Sequence, residues 1–152
     1  MTFHRITFAE ILKGIGIGIA IAVVTAVVMQ MLAVAGISPL PKPLGLAFAE
    51  TVPGTGLPLP VGMLFHTVWI IGWTLAYLIL WRDALTLGSA FILATLLWVG
   101  VLVIFFPLVG WGFLGLAVTP RLIIAAGLIH AIFAVLLWGA ARWAFQTGPA
   151  PR

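Results

Sequence analysis

Two histidines lie within long apolar stretches of the sequence, in LFHTVW and LIHAIF. They are His66 and His130. A neutral imidazole donates a hydrogen bond through one ring nitrogen and can accept one, or ligate a metal, through the other. Because a polar side chain in apolar surroundings needs a partner, the chemistry open to both residues depends on the elements that position them.

The first two interpretations of these histidines are a hydrogen bond between helices and a haem b held by both imidazoles. Arg121, near the end of its apolar segment, would then pair with a haem propionate. The depths of the two rings disfavour a shared iron. His66 is six residues beyond Pro60 and His130 ten beyond Pro120, and the difference of four helical residues corresponds to about 6 Å.

A copper site and a role in proton or quinone handling are the other two interpretations. Three methionines lie toward the same end of the apolar segments as His66, and thioether with imidazole suits Cu(I). They are Met29, Met31 and Met63. Proton or quinone handling would use the face that His66 shares with Tyr77, three turns further along the same segment.

The composition indicates an integral membrane protein. Of the 152 residues 64% are hydrophobic and 7% are charged, whereas an average soluble domain has about 25% charged residues. The absence of cysteine excludes disulfides, thiol catalysis and cysteine-ligated metals. With three carboxylates on separate segments and no nucleotide-binding or metalloprotease motif, we expect no catalytic activity.

Four apolar segments are long enough to cross a bilayer, which takes roughly 20 residues. They cover residues 11–35, 61–81, 84–106 and 122–145, and we expect an all-α, four-helix bundle in which residues 1–152 form one transmembrane domain. The first segment ends in the cleavage-like pattern Ala33-x-Ala35. Its apolar run is longer than the roughly 7–15 residues of a signal peptide, so we expect it to be a span.

The basic residues are distributed unequally between the two sides of the predicted membrane. The side that holds both termini carries Arg5, Lys13, Arg82, Arg142 and Arg152, and the other side carries Lys42 and Arg121. Short segments rich in Lys and Arg stay in the cytoplasm, so both termini are predicted to be cytoplasmic, in a bacterial inner membrane. The basic residues form no patch, which excludes nucleic acid as a partner.

Small residues recur every four positions along the first span. They are Gly14, Gly18, Ala22 and Ala26. Small side chains at this spacing let two helix backbones approach closely where lipid is as apolar as leucine. We therefore predict that this face is a helix-packing seam.

Two segments on the outer side contain helix-breaking residues. The first connects spans one and two and has six prolines, so it can form at most a short helix within LGLAFAETV, covering the mouth of the bundle or meeting a partner. In the second, Pro107 is expected to end the third span and Gly110 and Gly112 to interrupt any continuation. Trp111 and Phe113 suit the headgroup level, so we predict an interfacial segment folded over spans two and four.

Each half of the chain has a span, a Pro/Gly-rich outer loop and a histidine-bearing span. This weak repeat would make His66 and His130 equivalent about an axis along the membrane normal. With Tyr77 late in span two and PLVGWGF after span three, the pattern resembles YagU-like and related small four-span bacterial membrane proteins of unknown function. The resemblance implies a four-helix membrane fold and brings no activity with it.

The composition favours a protein that is surrounded by lipid and by other membrane subunits. Seven tryptophans and apolar residues on all helix faces fit such burial. We therefore predict an accessory or structural subunit of a larger inner-membrane complex, without catalysis and without a cofactor. The alternatives are a small cofactor carrier, with haem b before copper, and a protein that handles protons or quinones.

Overall fold

The computed structural model describes residues 7–51 and 56–146, and the predicted cytoplasmic Arg5 and Arg152 lie outside these ranges. All regular elements in the described ranges are helical. The helices are α1 (Phe8–Val34), α2 (Leu44–Ala49), α3 (Leu59–Trp81), α4 (Leu87–Leu108) and α5 (Arg121–Gln146). A single 3₁₀ turn at Phe113–Gly115 precedes α5.

Four of these helices are long and apolar enough to cross a membrane, as the sequence predicted. They are α1, α3, α4 and α5. We call the end of the bundle where α1 and α4 finish the loop end, and the opposite end the terminal end. The short α2 lies at the loop end, in the Pro-rich segment between α1 and α3.

The start of α4 differs from the expected position. The sequence suggested residue 84, with Asp83 as the N-cap, but the helix begins at Leu87 with Thr86 as its N-cap. The Thr86 hydroxyl accepts from the Ser89 backbone N–H at 3.1 Å, and the Thr86 N–H bonds the Ser89 hydroxyl at 3.2 Å. This reciprocal capping box satisfies two backbone donors at once, which explains why the helix starts there.

The end of α4 also differs from the expectation that Pro107 would terminate the span. A π-helical turn at Val101–Phe105 precedes the proline, and its Phe106 N–H bonds the Val101 carbonyl. The widened turn accommodates the proline, and the helix continues to Leu108. Gly110, at φ 79°, then ends it, because the Trp111 N–H bonds the Phe106 carbonyl at 2.8 Å in a Schellman motif.

The predicted interfacial segment packs inward. Trp111 is only 6% exposed, and its ring centroid lies 5.3 Å from that of Phe106. Phe113, in contrast, is 60% exposed. The 3₁₀ turn contacts mainly α4 and α5, which are spans three and four, and not the expected pair of spans two and four.

The four long helices do not pack symmetrically. α1 lies against both α3 and α5, and α4 lies against α5, whereas α3 and α4 meet at few positions. A two-fold axis along the bundle would make the α1–α5 and α3–α4 contacts equivalent. The predicted repeat is therefore broken at the packing level, and a gap is left between α3 and α4.

The small residues of α1 lie against α3. A Cβ on Gly14 would come within 2.6 Å of the Leu75 side chain, and one on Gly18 within 2.8 Å of the Ile71 Cα. Ala22 is buried in the same contact, whereas Ala26 is half-buried and faces a cavity. The close approach of α1 and α3 thus depends on the first three members of the predicted seam.

The two apolar clusters of the described residues differ in size, and the larger includes the terminal end of the bundle. There the largest apolar cluster joins α1, α3, α4 and α5 around Tyr77, Leu78 and Leu137. Arg82 forms an ion pair with Glu10 at 3.1 Å and lies 4.5 Å from the centroid of the Phe145 ring. A smaller cluster around Phe106 and other residues of α4 occupies the loop end.

Gly18→Leu should destabilise the bundle, whereas Gly16→Leu should not. Gly18 has no room for a side chain against Ile71, and a Cβ on Gly16 would meet nothing within 4 Å. Overpacking at Gly18 should cost about 1–3 kcal/mol of unfolding free energy, measured by denaturant titration in mixed micelles. Equal stability of the two variants would show that α1 and α3 do not pack through this face.

Candidate functional site

A cavity of about 310 Å³ lies between the four long helices near the loop end. We call it the chamber. Its walls are mostly apolar, and they include both His66 on α3 and His130 on α5. The structure thus brings the two sequence-predicted candidates to one cavity. His66 is seven residues after the first residue of α3, and His130 is nine after the first residue of α5. The two rings therefore differ in depth by about 3 Å, and not by the 6 Å obtained by counting from the prolines.

The Pro-rich segment covers the chamber at the loop end. Its helix α2 crosses α3 with backbone contact, since a Cβ on Gly45 would lie 2.6 Å from the Gly62 carbonyl oxygen, and one on Gly62 would lie 2.6 Å from the Leu46 Cβ. Only glycine at both positions permits this crossing. The sequence predicted this short helix. Because α2 packs directly on the backbone of α3, it covers the loop end of the bundle.

Charged groups tie the same segment together at its surface. The Glu50 carboxylate accepts from the Lys42 ammonium at 2.7 Å and from the Gly56 backbone N–H at 3.1 Å. The hydrogen bond from Lys42 is the main reason why the pKa of the Glu50 carboxyl lies below its ordinary value. These contacts join Lys42 and Gly56 to Glu50, just beyond the end of α2, and hold the short helix in place.

His66 is hydrogen-bonded to another helix. Its Nε2 lies 3.1 Å from the Thr25 hydroxyl oxygen on α1. That hydroxyl is closer to the Ile21 carbonyl, at 2.8 Å, and a carbonyl can only accept. The hydroxyl proton therefore goes to Ile21, and the oxygen accepts the proton of His66 Nε2. From these distances we infer the Nε2–H tautomer for His66, which leaves a lone pair on Nδ1.

His130 is fixed in the opposite tautomer. Its Nδ1 lies 2.8 Å from the Ala126 carbonyl oxygen of its own helix. Because that oxygen accepts, Nδ1 carries the proton, and Nε2 keeps the lone pair. The bond also sets the orientation of the ring, as in many histidines that present the other nitrogen to a ligand.

The chamber is therefore lined by two neutral imidazoles, each with one unprotonated nitrogen, in mostly apolar surroundings. No carboxylate is among the described residues that line it, so nothing there compensates a buried imidazolium, and a charge would be costly. Gln30, Ser38 and Lys42 line the chamber as well, at the loop end. Such a lining suits a neutral polar group better than a charged one.

A second cavity, which we call the lateral groove, lies along the gap between α3 and α4. Its volume is about 560 Å³. Its walls include five aromatic residues, and Phe105 of α4 is in ring contact with Trp69 at 5.0 Å and with Phe48 at 5.1 Å. Both cavities include His66 and Trp69 in their walls. The lateral groove therefore adjoins the chamber.

The structure divides the predicted copper ligands. Met29 and Met63 line the chamber together with His66, whereas Met31 is 66% exposed and does not. In the described part of the chain no group of three or more His, Asp or Glu side chains is positioned to hold a metal ion. A mixed thioether and imidazole site for Cu(I) stays a prediction.

The chamber fits a haem poorly. Arg121 is exposed and is not among the lining residues, so the expected propionate partner is elsewhere. Nε2 of His66 is engaged by Thr25, and ligation of iron through that nitrogen would break the bond. The shared cavity favours the haem alternative, whereas the position of Arg121 and the bond to Thr25 disfavour it.

Tyr77, which was predicted to act together with His66, is hydrogen-bonded within the protein at a different place. It is fully buried at the terminal end, where its hydroxyl donates to the Thr86 carbonyl at 3.1 Å and lies 3.0 Å from the Ser89 hydroxyl. It is not among the residues that line either cavity. The structure thus places it at the connection between α3 and α4, away from the histidines.

Sequence reasoning missed Thr25 and the pair Gly45 and Gly62. Thr25 could have been found by extending the small-residue face of α1 by three residues beyond Ala22, which reaches the next position on the same side of the helix. The glycine pair had no comparable signal, because its partners are separated by the Pro-rich segment and meet only in the folded chain.

Thr25→Val should weaken the bundle through the loss of one interhelical hydrogen bond. A double-mutant cycle with His66→Leu should give a coupling of about 0.6 kcal/mol, and at most about 1.7 kcal/mol, as found for such bonds in membrane proteins. The control is Thr67→Val, since the Thr67 hydroxyl bonds the Met63 carbonyl of its own helix. Zero coupling between Thr25 and His66 would contradict the bond.

Comparison of the chain with protein-family models, with curated proteins and with solved structures found no match. The resemblance to YagU-like proteins therefore stays a prediction, and the function has to be argued from the chamber itself.

Proposed function

We propose that this protein is a non-catalytic membrane protein that binds one small amphipathic molecule in the chamber. The observation that carries the proposal is the shared position of His66 and His130 on one covered, apolar cavity. Each ring donates a hydrogen bond to the protein, His66 to Thr25 and His130 to Ala126, and its other nitrogen can accept one. Two acceptors fixed in this way are suited to recognition.

The size and the lining of the chamber support binding. Ligand pockets have volumes of about 300–1,000 Å³, with apolar walls and a few polar groups that orient the ligand. At about 310 Å³ the chamber is at the small end of this range. The chamber is large enough for the polar end of an amphipathic molecule, and the apolar part would lie outside the chamber.

The accessory-subunit function that the composition favoured is compatible with this proposal. Apolar side chains are exposed along α1, α4 and α5, and they suit lipid or other subunits of a bacterial inner-membrane assembly. A subunit that only filled space would not need a cover held by two glycines and an ion pair. We therefore place the binding function first.

Ala26→Phe should abolish ligand binding, and Ala20→Phe should not. Ala26 lines the chamber, whereas Ala20 lies on the same helix and is exposed. A phenylalanine at position 26 would fill part of the space that a ligand needs. The measurement is organic extraction of the purified proteins followed by mass spectrometry, with the extracted molecules counted per chain.

The expected result is one amphipathic compound, near one per chain, in the parent protein and in Ala20→Phe, and its loss in Ala26→Phe. Equal amounts in all three proteins would mean that the compound is bound outside the chamber. A parent protein that carries no such compound would also contradict the proposal.

A further inference from the structure

We propose that the ligand is a quinol, the reduced dihydroxy form of a lipid quinone, with its ring in the chamber and its isoprenoid chain in the lateral groove. This inference rests on the binding function proposed above and specifies its ligand. It follows from the hydrogen-bond character of the two histidines, from the charge of the chamber and from the shape of the adjoining groove.

The two histidines select for a ligand with two donors. The unprotonated nitrogens are Nδ1 of His66 and Nε2 of His130, because the other nitrogen of each ring carries the proton and donates it in a hydrogen bond to Thr25 or Ala126. Two acceptors on one cavity match the two hydroxyls of a quinol ring. A quinone presents two carbonyl acceptors, which would face lone pairs without a proton between them.

Gln30, Ser38 and Lys42, which also line the chamber, do not reverse this preference. Gln30 is five residues beyond Thr25 on α1, about 7.5 Å nearer the loop end. Ser38 belongs to the cover, and Lys42 donates to Glu50. These groups are placed to meet ring substituents or water at the loop end, and they lie outside the level of the two histidines.

The charge of the chamber disfavours a phospholipid. Lys42 is the only basic residue among the described residues that line the chamber, and its ammonium is already paired with Glu50 at 2.7 Å. Arg121 is exposed and outside the lining. A phosphate in the chamber would have no free cation, and burying an unpaired charge is expensive. An uncharged head group is the better match.

The lateral groove provides a place for a single apolar chain. It shares with the chamber the wall residues Leu44, Gly45, His66, Trp69, Trp73 and Val101. Along α3 it extends from Phe65 to Ala76, eleven residues or about 16 Å. That length is roughly half of the 30 Å hydrocarbon core of a bilayer. Since α3 and α4 pack sparsely, the chain could enter sideways from the lipid.

The test measures binding of a decyl-substituted benzoquinol and of the corresponding quinone to the protein in phosphatidylcholine nanodiscs. The quinol is kept reduced under nitrogen, and retention is counted against empty nanodiscs. We expect the parent protein to bind the quinol about tenfold more tightly than the quinone, the order expected for two neutral hydrogen bonds. Equal affinity for the two forms would overturn the inference.

Two variants separate the ring from the chain. His130→Leu should lower quinol affinity about threefold and leave quinone affinity unchanged, and because the His130 N–H bonds within its own helix, folding is preserved. Gly72→Phe should fill the lateral groove, where the position of a Cβ is open, and lower the affinity of both decyl compounds. Gly16→Phe, at an equally open position outside both cavities, is the control. Unchanged affinity of Gly72→Phe for both decyl compounds would show that the chain does not lie in the lateral groove.

The outcome distinguishes this inference from the binding function on which it rests. If the extracted compound depends on Ala26 but the quinol is not preferred over the quinone, the chamber binds another ligand and only the inference fails. If no extracted compound depends on Ala26 and neither decyl compound is retained above empty nanodiscs, both fail.

Discussion

The hydrogen bond between Thr25 and His66 is the interaction on which the chamber depends. A buried imidazole N–H must be satisfied within the protein, because apolar surroundings supply no partner. The partner is on α1, and it comes within 3.1 Å only because Gly14 and Gly18 let α1 approach the backbone of α3. The close packing of α1 on α3 and the hydrogen bond between Thr25 and His66 therefore depend on each other. Together they fix which nitrogen of His66 remains free.

Asymmetric packing turns this local arrangement into a cavity with an entrance. α1 contacts α3 and α5, so α3 is held on one side and its other side is left facing the gap toward α4. The π turn at Val101–Phe105 lies in the part of α4 that borders this gap, and widened turns of this kind are frequent at functional sites. The backbone crossing of α2 over α3, which needs Gly45 and Gly62, then closes the loop end.

Much of this architecture could be predicted from the sequence, because bilayer thickness and apolar content determine the number of long helices. The seam glycines and the two histidines were also identifiable, since each departs from a uniformly apolar background. The start of α4 was misplaced because a capping box at Thr86 and Ser89 outweighs a single acidic residue at Asp83. The chamber and the lateral groove could not be predicted, since they depend on which helix pairs are close, and sequence periodicity does not specify that.

Nitrogen-15 NMR of histidine in the protein tests the central claim most directly. With His4→Gln as background, two rings remain, and protonated and unprotonated ring nitrogens give separate signals. We expect two neutral rings, with the proton on Nε2 of His66 and on Nδ1 of His130, and with the unprotonated nitrogens available to a ligand. The same tautomer in both rings, or an imidazolium in either, would contradict the account.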